Sequence, residues 1–535
     1  MKKPVMIVLV FLVFVCLVGT AAASGGEENL PAQVPRGHWS CKETAELSAK
    51  YGSLKKLPDG EMVESKELAA AFLALMEKVQ EKCEKEGADA VSREDLDRLA
   101  ALYEALKHDL PEFEGYLSRR ESIVKMLAKP EEPLFEYKLG VAGFLRGEGA
   151  GNFTLPDFTY ESGHAEGRFL YRVKPYVYWH PADWLDIGVE GQGYGYDGGD
   201  QHLAKFSLYQ GFVEAKWPTS NVVAVKGGRQ EITYGSAFIL GNDPFIKGRS
   251  YDALRLRVQP VEGGVVDLFA GNYATPFSLG QEGTLSGAYG TYALKEGIAV
   301  ELYAIRDTIS TDHHMGEHEW TFGARGTAKL GPVSLEIEPV VQTREVFNPA
   351  TNGNDTIGSY GGHVDADIDT TMGEFHNHLF LSYAYGSGSQ GAANGGSTKG
   401  EFHTPLNDSS LMGDMKVLGD LSGFTLGDHH ASGLQIYTLG WGVDITKELN
   451  FSATGRYAVA NDVESGFSRT IGLETDFTLT YFVNDNLSFI AGYDRFFTGG
   501  FFRDATGSGK DIDYGYFMVQ FDISHVKPKV RKVGV

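Results

Sequence analysis

From residue 136 to residue 524 the sequence falls into segments of strand type, and the connections between them alternate, tight then long, without a slip. The first half holds segments near 136–147, 166–180, 184–197, 206–217, 221–234, 252–261, 264–274, 284–294 and 298–309. The second adds 317–330, 333–346, 356–370, 374–387, 430–446, 449–461, 469–483, 487–498 and 511–524. That makes about eighteen, an even number, mostly of the length that crosses a membrane as a tilted strand. The tight turns are Pro181-Ala182-Asp183, Pro218-Thr219-Ser220, Val261-Glu262-Gly263, Lys295-Glu296-Gly297, Leu330-Gly331-Pro332, Thr371-Met372-Gly373, Lys447-Glu448 and Asn484-Asp485-Asn486. Longer loops lie around 150–165, 198–205, 235–251, 275–283, 310–316, 347–355, 388–429, 462–468 and 499–510. A membrane barrel has short periplasmic turns and long outer loops. A soluble sandwich has no cause to alternate in this way. The expected fold is all-β: an antiparallel transmembrane β-barrel of about 18 strands over 136–526, preceded by a small helical periplasmic domain.

Alternation with period two then assigns the two faces of the wall. Leu254 and Leu256 share one face, and Arg255 and Arg257 share the other. Phe169, Tyr171, Val173, Val177 and Trp179 point to lipid, so Arg168, Arg172 and Lys174 point into the lumen. Trp320, Phe322 and Ala324 leave Arg325 and Lys329 inside. Leu335, Ile337 and Val341 leave Glu336, Glu338, Gln342 and Arg344 inside. Arg456, Glu474 and Asp476 lie opposite their apolar neighbours in the same way. Tyr178, Trp179, Trp184, Trp217 and Trp441, near strand ends, suit interfacial girdles. Two accounts of such a lumen stand open. Its charges pair across the wall and hold its shape, or they form an electropositive conduit that lowers the barrier for anions.

The stretch from Gly228 to Arg257 carries a longer motif. It has Gly228-Arg229-Gln230-Glu231, then Tyr234-Gly235, a loop, and Gly248-Arg249-Ser250-Tyr251-Asp252 with Leu254-Arg255. This pattern resembles the alginate-export family of outer-membrane barrels, whose strand number is also eighteen. The resemblance implies an arginine-lined path for an anionic polysaccharide, with loops and turns acting as plugs. It places Arg229, Arg249 and Arg255 on that path directly. Arg168, Arg172, Lys174, Arg257, Arg325 and Arg344 join them through the face assignment.

Ahead of the barrel, residues 1–23 read as a secretory signal: Lys2 and Lys3, an apolar run from Val5 to Val18, then Ala21-Ala22-Ala23. Residues 24–128 read as a helical module, 129–135 as a linker rich in proline and charge, and 527–535 as a basic tail. Leu68, Phe72, Leu75 and Val79 mark one amphipathic helix, and Ser92-Arg93-Glu94-Asp95 suits a capping box opening another. Leu99, Tyr103, Leu106, Leu110, Phe113 and Leu117 follow coiled-coil spacing, which leaves open an ordinary bundle or a short oligomeric stalk. Gly37-His38-Trp39, Tyr51, Leu54, Pro58-Asp59-Gly60 and Glu67-Leu68-Ala69-Ala70 resemble the S-layer homology module of some outer-membrane porins. The resemblance implies binding of cell-wall polymer, although Glu64-Ser65 stands where that module has a Thr-Arg pair. Cys41 and Cys83 remain after signal removal, either paired or as free thiols.

A net charge of −23 sets nucleic acid aside as a partner. There is no G-x-S-x-G, H-E-x-x-H or G-x-x-x-x-G-K, and no C-x-x-C-H for covalent haem, so neither an enzyme nor a cofactor is expected. His313, His314 and His318 are the best metal candidates by composition, but a solvated loop is the plainer account. Asp365, Asp367 and Asp369 read as three carboxylates on one luminal strand face. The leading expectation is a passive outer-membrane channel for anionic solutes or polysaccharide, seated in lipid. A wall-tethering barrel, or the sheath of a porin–cytochrome conduit, are the alternatives.

Overall fold

A computed structural model describes residues 33–36, 38–53, 55, 57, 62–86, 91, 93–106, 110 and 135–528. Within the last span it leaves out 156–158, 199–200, 218–222, 243–244, 246–247, 262, 275–282, 309–317, 349–350, 352, 374, 394–399, 409 and 416. The signal at 1–23, the linker from Lys129, Gly37, Pro58-Asp59-Gly60, Ser92, Phe113, Leu117, His313, His314 and the tail beyond Pro528 lie outside the described residues, as does the Cys83 side chain. The chain divides into a unit of residues 12–134 and a barrel unit from Phe135 onward.

Among its described residues the small unit holds three helices, Trp39–Tyr51, Ser65–Glu86 and Arg93–Leu106, and a ribbon pairing Gln33–Pro35 with Met62–Glu64. Leu47, Leu68, Phe72, Leu75, Val79, Leu99, Leu102 and Leu106 are buried together. The periodic leucines from Leu99 to Leu110 thus pack within this unit. Asp95 is buried and accepts from Tyr51 Oη and Lys50 Nζ, each at 2.6 Å, which ties the third helix to the first. Cys41 is a buried free thiol.

The barrel is closed and antiparallel, with eighteen staves. They are β1 (Phe135–Thr154), β2 (Thr159–Ala182), β3 (Leu185–Gly198), β4 (Gln201–Lys216), β5 (Val223–Gln230), β6 (Tyr251–Val261), β7 (Gly264–Tyr273), β8 (Thr284–Lys295) and β9 (Ile298–Asp307). The rest are β10 (His318–Leu330), β11 (Val333–Asn348), β12 (Gly353–Met372), β13 (Phe375–Gly386), β14 (His429–Asp444), β15 (Leu449–Asp462), β16 (Thr470–Asn484), β17 (Leu487–Thr498) and β18 (Ile512–Pro528). Each pairs with its sequence neighbours, and β18 closes on β1 from Asp513↔Gly151 to Pro528↔Phe135. Closure satisfies every ladder without a free edge, the condition for β-structure in hydrocarbon. The outer wall bears Phe206, Leu254, Leu302 and Phe517, each more than half exposed, and dozens of other apolar side chains. Such a surface would aggregate in water and is stable only against lipid.

All eighteen expected segments are staves, with three differences. The connections foreseen at 150–165, 198–205 and 347–355 are mostly ladder, because the pairings of β1 to β4, β11 and β12 run on into them. The segment foreseen as 221–234 ends at Gln230. There the Gln230 amide donates to the Ala253 carbonyl at 2.9 Å, and the chain turns inward. The last stave takes Lys527 and Pro528 into its pairing, so the barrel runs past the foreseen boundary at 526.

Two long loops fill the lumen. The loop of residues 231–250 places Ile232, Phe238 and Leu240 inside, and the loop of residues 387–428 places Phe402, Leu406, Leu411, Met412, Met415 and Leu421 beside them. Together with wall residues such as Phe269, Tyr289 and Tyr303 they form one buried apolar cluster. Tyr234 stacks on Tyr289 with ring centroids 4.3 Å apart. The loop at 388–429 is therefore an inward plug.

Candidate functional site: the plugged lumen

Registers and burial fix where each expected residue points. On β2, Arg168 and Arg172 are buried while Phe169, Val177 and Trp179 are exposed. The even positions therefore face the lumen, as alternation requires. Arg168 Nε donates to Glu148 Oε1 at 2.5 Å, Arg172 Nε to Gln192 Oε1 at 2.8 Å, and Lys174 Nζ lies 2.7 Å from Glu190 Oε1. On β6, Leu254 faces out, and Arg255 and Arg257 face in. Arg257 forms a two-pronged pair with Asp267, both contacts at 2.8 Å. Arg325 is held by Glu336 at 2.6 and 2.7 Å and by Glu301 at 2.9 Å. Arg344 is paired with Glu319 at 2.5 Å, and Arg456 with Asp476.

Arg229 is not in the lumen. It sits directly opposite Asp252 across the β5–β6 ladder, and Asp252 shares the outward face of Leu254. The two form a bidentate pair, each contact 2.8 Å, on the outside of the wall at the long-loop end. The sequence contained the warning: residues 226 and 229 are three apart, so a regular strand puts them on opposite faces. Lys226 is the lumenal cation of β5, and it was missing from the expected set. Tyr178 is also corrected. It faces inward and donates to Glu190 at 3.0 Å instead of joining a girdle. Trp184, Trp217 and Trp441 are exposed on the outer wall as foreseen. Asp365, Asp367 and Asp369 do share the inward face of β12.

Arg249 is in the plug, not the wall. Its Nη1 donates to the carbonyls of Leu406 at 2.7 Å and Gly241 at 3.0 Å, and its Nη2 to Pro405 at 3.3 Å. One guanidinium thus sews both loops together. The Gly241 amide donates to Leu406 and the Asp408 amide to Ala237 beside it. Gly248 has φ +65°, and a Cβ there would stand 2.3 Å from Arg172 Nη2, so the turn into Arg249 requires glycine. Gly413 similarly lets the second loop reach Glu474, whose Oε1 accepts the Asp414 amide at 2.8 Å.

The lumen is therefore mostly charge-balanced, and this replaces the picture of an uninterrupted arginine lining. Its balance is uneven in space. Cations concentrate on β1, β2, β5 and β6 through Arg146, Arg172, Lys174, Lys226, Arg255 and Arg257. Carboxylates concentrate on β9 to β17. Lys226 and Arg255 stand opposite one another across the ladder. Among the described residues neither has a carboxylate within 4 Å, and Lys226 Nζ instead lies 3.5 Å from the Phe212 ring centroid. Like charges directly opposite destabilise a ladder, and Glu214, directly opposite Lys226 on β4, offsets part of that cost. A cavity of about 940 Å³ lies beside the plug, lined by Arg146, Arg172, Lys174, Phe245, Asp408, Asp414 and the turn Asn484-Asp485-Asn486.

No family model and no curated protein matches the sequence. Among solved structures, the outer membrane protein OprD from Pseudomonas aeruginosa is similar at 12% identity with a TM-score of 0.47, over 74% of this chain and 96% of that one. OpdK from the same organism, solved with vanillate, is similar at 11% identity and TM-score 0.47, over 74% of this chain and 100% of that one. OpdO, also from Pseudomonas aeruginosa, is similar at 14% identity and TM-score 0.48, over 73% and 98%. At such identities function rests on the lumen itself.

Proposed function

We propose that this protein is a passive outer-membrane channel that favours anionic solutes, gated by its own two inward loops. The observation that carries the reading is the Lys226–Arg255 pair, neither member of which forms a salt bridge among the described residues, followed by Arg257, on the cation-rich side of the lumen. Two unpaired cations in a low-dielectric wall attract an anion far more strongly than the same charges would in water. A carboxylate passing them exchanges its hydration for two charge-assisted hydrogen bonds. The facing carboxylates of β9 to β17 disfavour close approach to the other wall, so an anion is guided along one side. The alginate-export resemblance suggests a uronate chain as the finer substrate, and Arg255 is the motif position that supports it. Block of single-channel current by uronate oligomers, compared with neutral oligomers of the same length, tests this. Equal block by both would remove the anionic polysaccharide and leave a channel for small solutes.

The helical unit is proposed to bind cell-wall polymer, on the strength of its S-layer homology resemblance alone. Co-sedimentation of the intact protein with purified sacculi tests it, and a protein left wholly in the supernatant would refute it.

A further inference from the structure

Away from the cationic path, beneath the first plug loop, four donor atoms converge from three segments. Glu336 and Glu338 come from β11 and His363 from β12, with Glu338 and His363 directly opposite in the ladder. Their ligand atoms lie within 4.8 Å of one another. His363 Nε2 is 3.6 Å from Glu336 Oε1 and 3.4 Å from Glu338 Oε2. Ser236 Oγ, from the loop of residues 231–250, lies 3.4 Å from Glu338 Oε2 and 3.4 Å from His363 Nε2. We propose that Glu336, Glu338, His363 and Ser236 form a tetrahedral site for Zn²⁺ or a similar divalent transition metal, which pins the plug loop to the barrel wall.

Geometry supports four-coordination. Zinc bonds to nitrogen and oxygen of about 2.0–2.2 Å put the vertices of a tetrahedron roughly 3.3–3.6 Å apart. The four separations given above, from 3.4 to 3.6 Å, fall at that edge length and are long for direct hydrogen bonds. The surroundings orient each ligand as metal sites require. Asp365 Oδ2 lies 2.9 Å from His363 Nδ1, so with a metal bound Nδ1–H would donate to Asp365 and Nε2 would be the ligand. Tyr303 Oη donates to the far oxygen of Glu338 at 2.6 Å. Arg325 holds both oxygens of Glu336, and Oε1 keeps a second acceptor site for a metal.

Charge gives a second, independent reason. Glu301, Glu336, Glu338 and Asp365 face one guanidinium and one imidazole, so negative charge is in excess whichever form His363 takes. A divalent cation offsets it. The His363 ring is buried, and Phe238 of the same plug loop packs on it with centroids 4.6 Å apart. A metal here would therefore close the wall to the loop through Ser236.

The test uses the full-length protein in detergent, stripped with a chelator, dialysed against Zn²⁺ and measured for metal content by mass spectrometry. Co²⁺ serves as a spectroscopic substitute. One metal per chain with the intense visible bands of tetrahedral cobalt is expected. His363→Gln should abolish both, and Asp365→Asn should weaken binding about 10–100-fold. The control is His378→Gln, which alters a separate histidine flanked by Asp367 and Asp369 at 3.0 Å; it should retain the metal. Absence of stoichiometric zinc in the wild-type protein overturns the proposal without recourse to any variant. Zinc retained in a folded His363→Gln, or lost in His378→Gln, also overturns it by placing the metal elsewhere.

Discussion

Replacing Arg249 with alanine should unfasten the plug. The side chain is nearly buried and donates two hydrogen bonds across the gap between the loops, to Leu406 at 2.7 Å and to Pro405 at 3.3 Å. A hydrogen bond from a charged donor contributes about 1.5–3 kcal/mol, so the lower bound for two is about 3 kcal/mol. At about 1.4 kcal/mol per factor of ten, the opened state should gain on the order of 100-fold in population. Lysine at this position should rescue only in part, since a single ammonium lacks the planar fork that reaches both loops. Single-channel recording is the assay. Arg249→Ala should show frequent excursions to a larger conductance, together with faster proteolysis within residues 387–428. Traces and cleavage rates indistinguishable from those of the parent would refute the claim that this guanidinium holds the loops closed.

Other consequences follow from the same geometry. Arg229→Ala should leave ion selectivity unchanged and cost less than about 1 kcal/mol in thermal denaturation, because its partner Asp252 is half exposed on the outer wall; a changed reversal potential would return Arg229 to the lumen. Gly413→Ala places a Cβ 2.3 Å from Glu474 Oε1 at a backbone φ of +85°. It should displace the second loop and raise conductance, whereas unaltered conductance would show that the loop adapts. Burial, reinforced by Arg344, holds the plug-loop His403 at a pKa of about 3. Its folded value lies below the unfolded one, so the stability it contributes is full above about pH 6.5 and declines toward pH 3, by at most about 1.4 kcal/mol per unit. Burial raises the pKa of Asp420, which slopes the other way, so the His403 effect is read as the difference between wild type and His403→Gln. Acid-induced opening that persists in full in that variant would assign it to another group.

The staves were legible because two signals agreed: period-two alternation within segments and a strict order of turn lengths between them. Phe169 against Arg168, and Leu254 against Arg255, then gave the faces correctly. Strand parity puts Arg229 on the outer wall, against the lumenal place that the motif implies. That loops plug the lumen was implied by the resemblance alone, and how they pack was beyond reach from residue order. Loops such as 387–428 have no period, and their burial depends on apolar residues far apart in the chain, Phe238 against Phe402 for example. The pairing of lumenal arginines was hidden for a related reason. That Arg325 meets Glu301 directly across one ladder and reaches Glu336 diagonally across the next depends on the registers, which no single strand contains. The Lys226–Arg255 pair arises in the same way, from two strands brought into one register.

The measurement that bears most directly on the channel assignment is the reversal potential of the purified protein in a planar bilayer under a salt gradient, for wild type and for Lys226→Ala with Arg255→Ala. A wild-type channel selective for anions over cations, with the preference reduced or lost in the double variant, is the predicted result. A cation-selective pore, or an anion preference untouched by removing both charges, would contradict it.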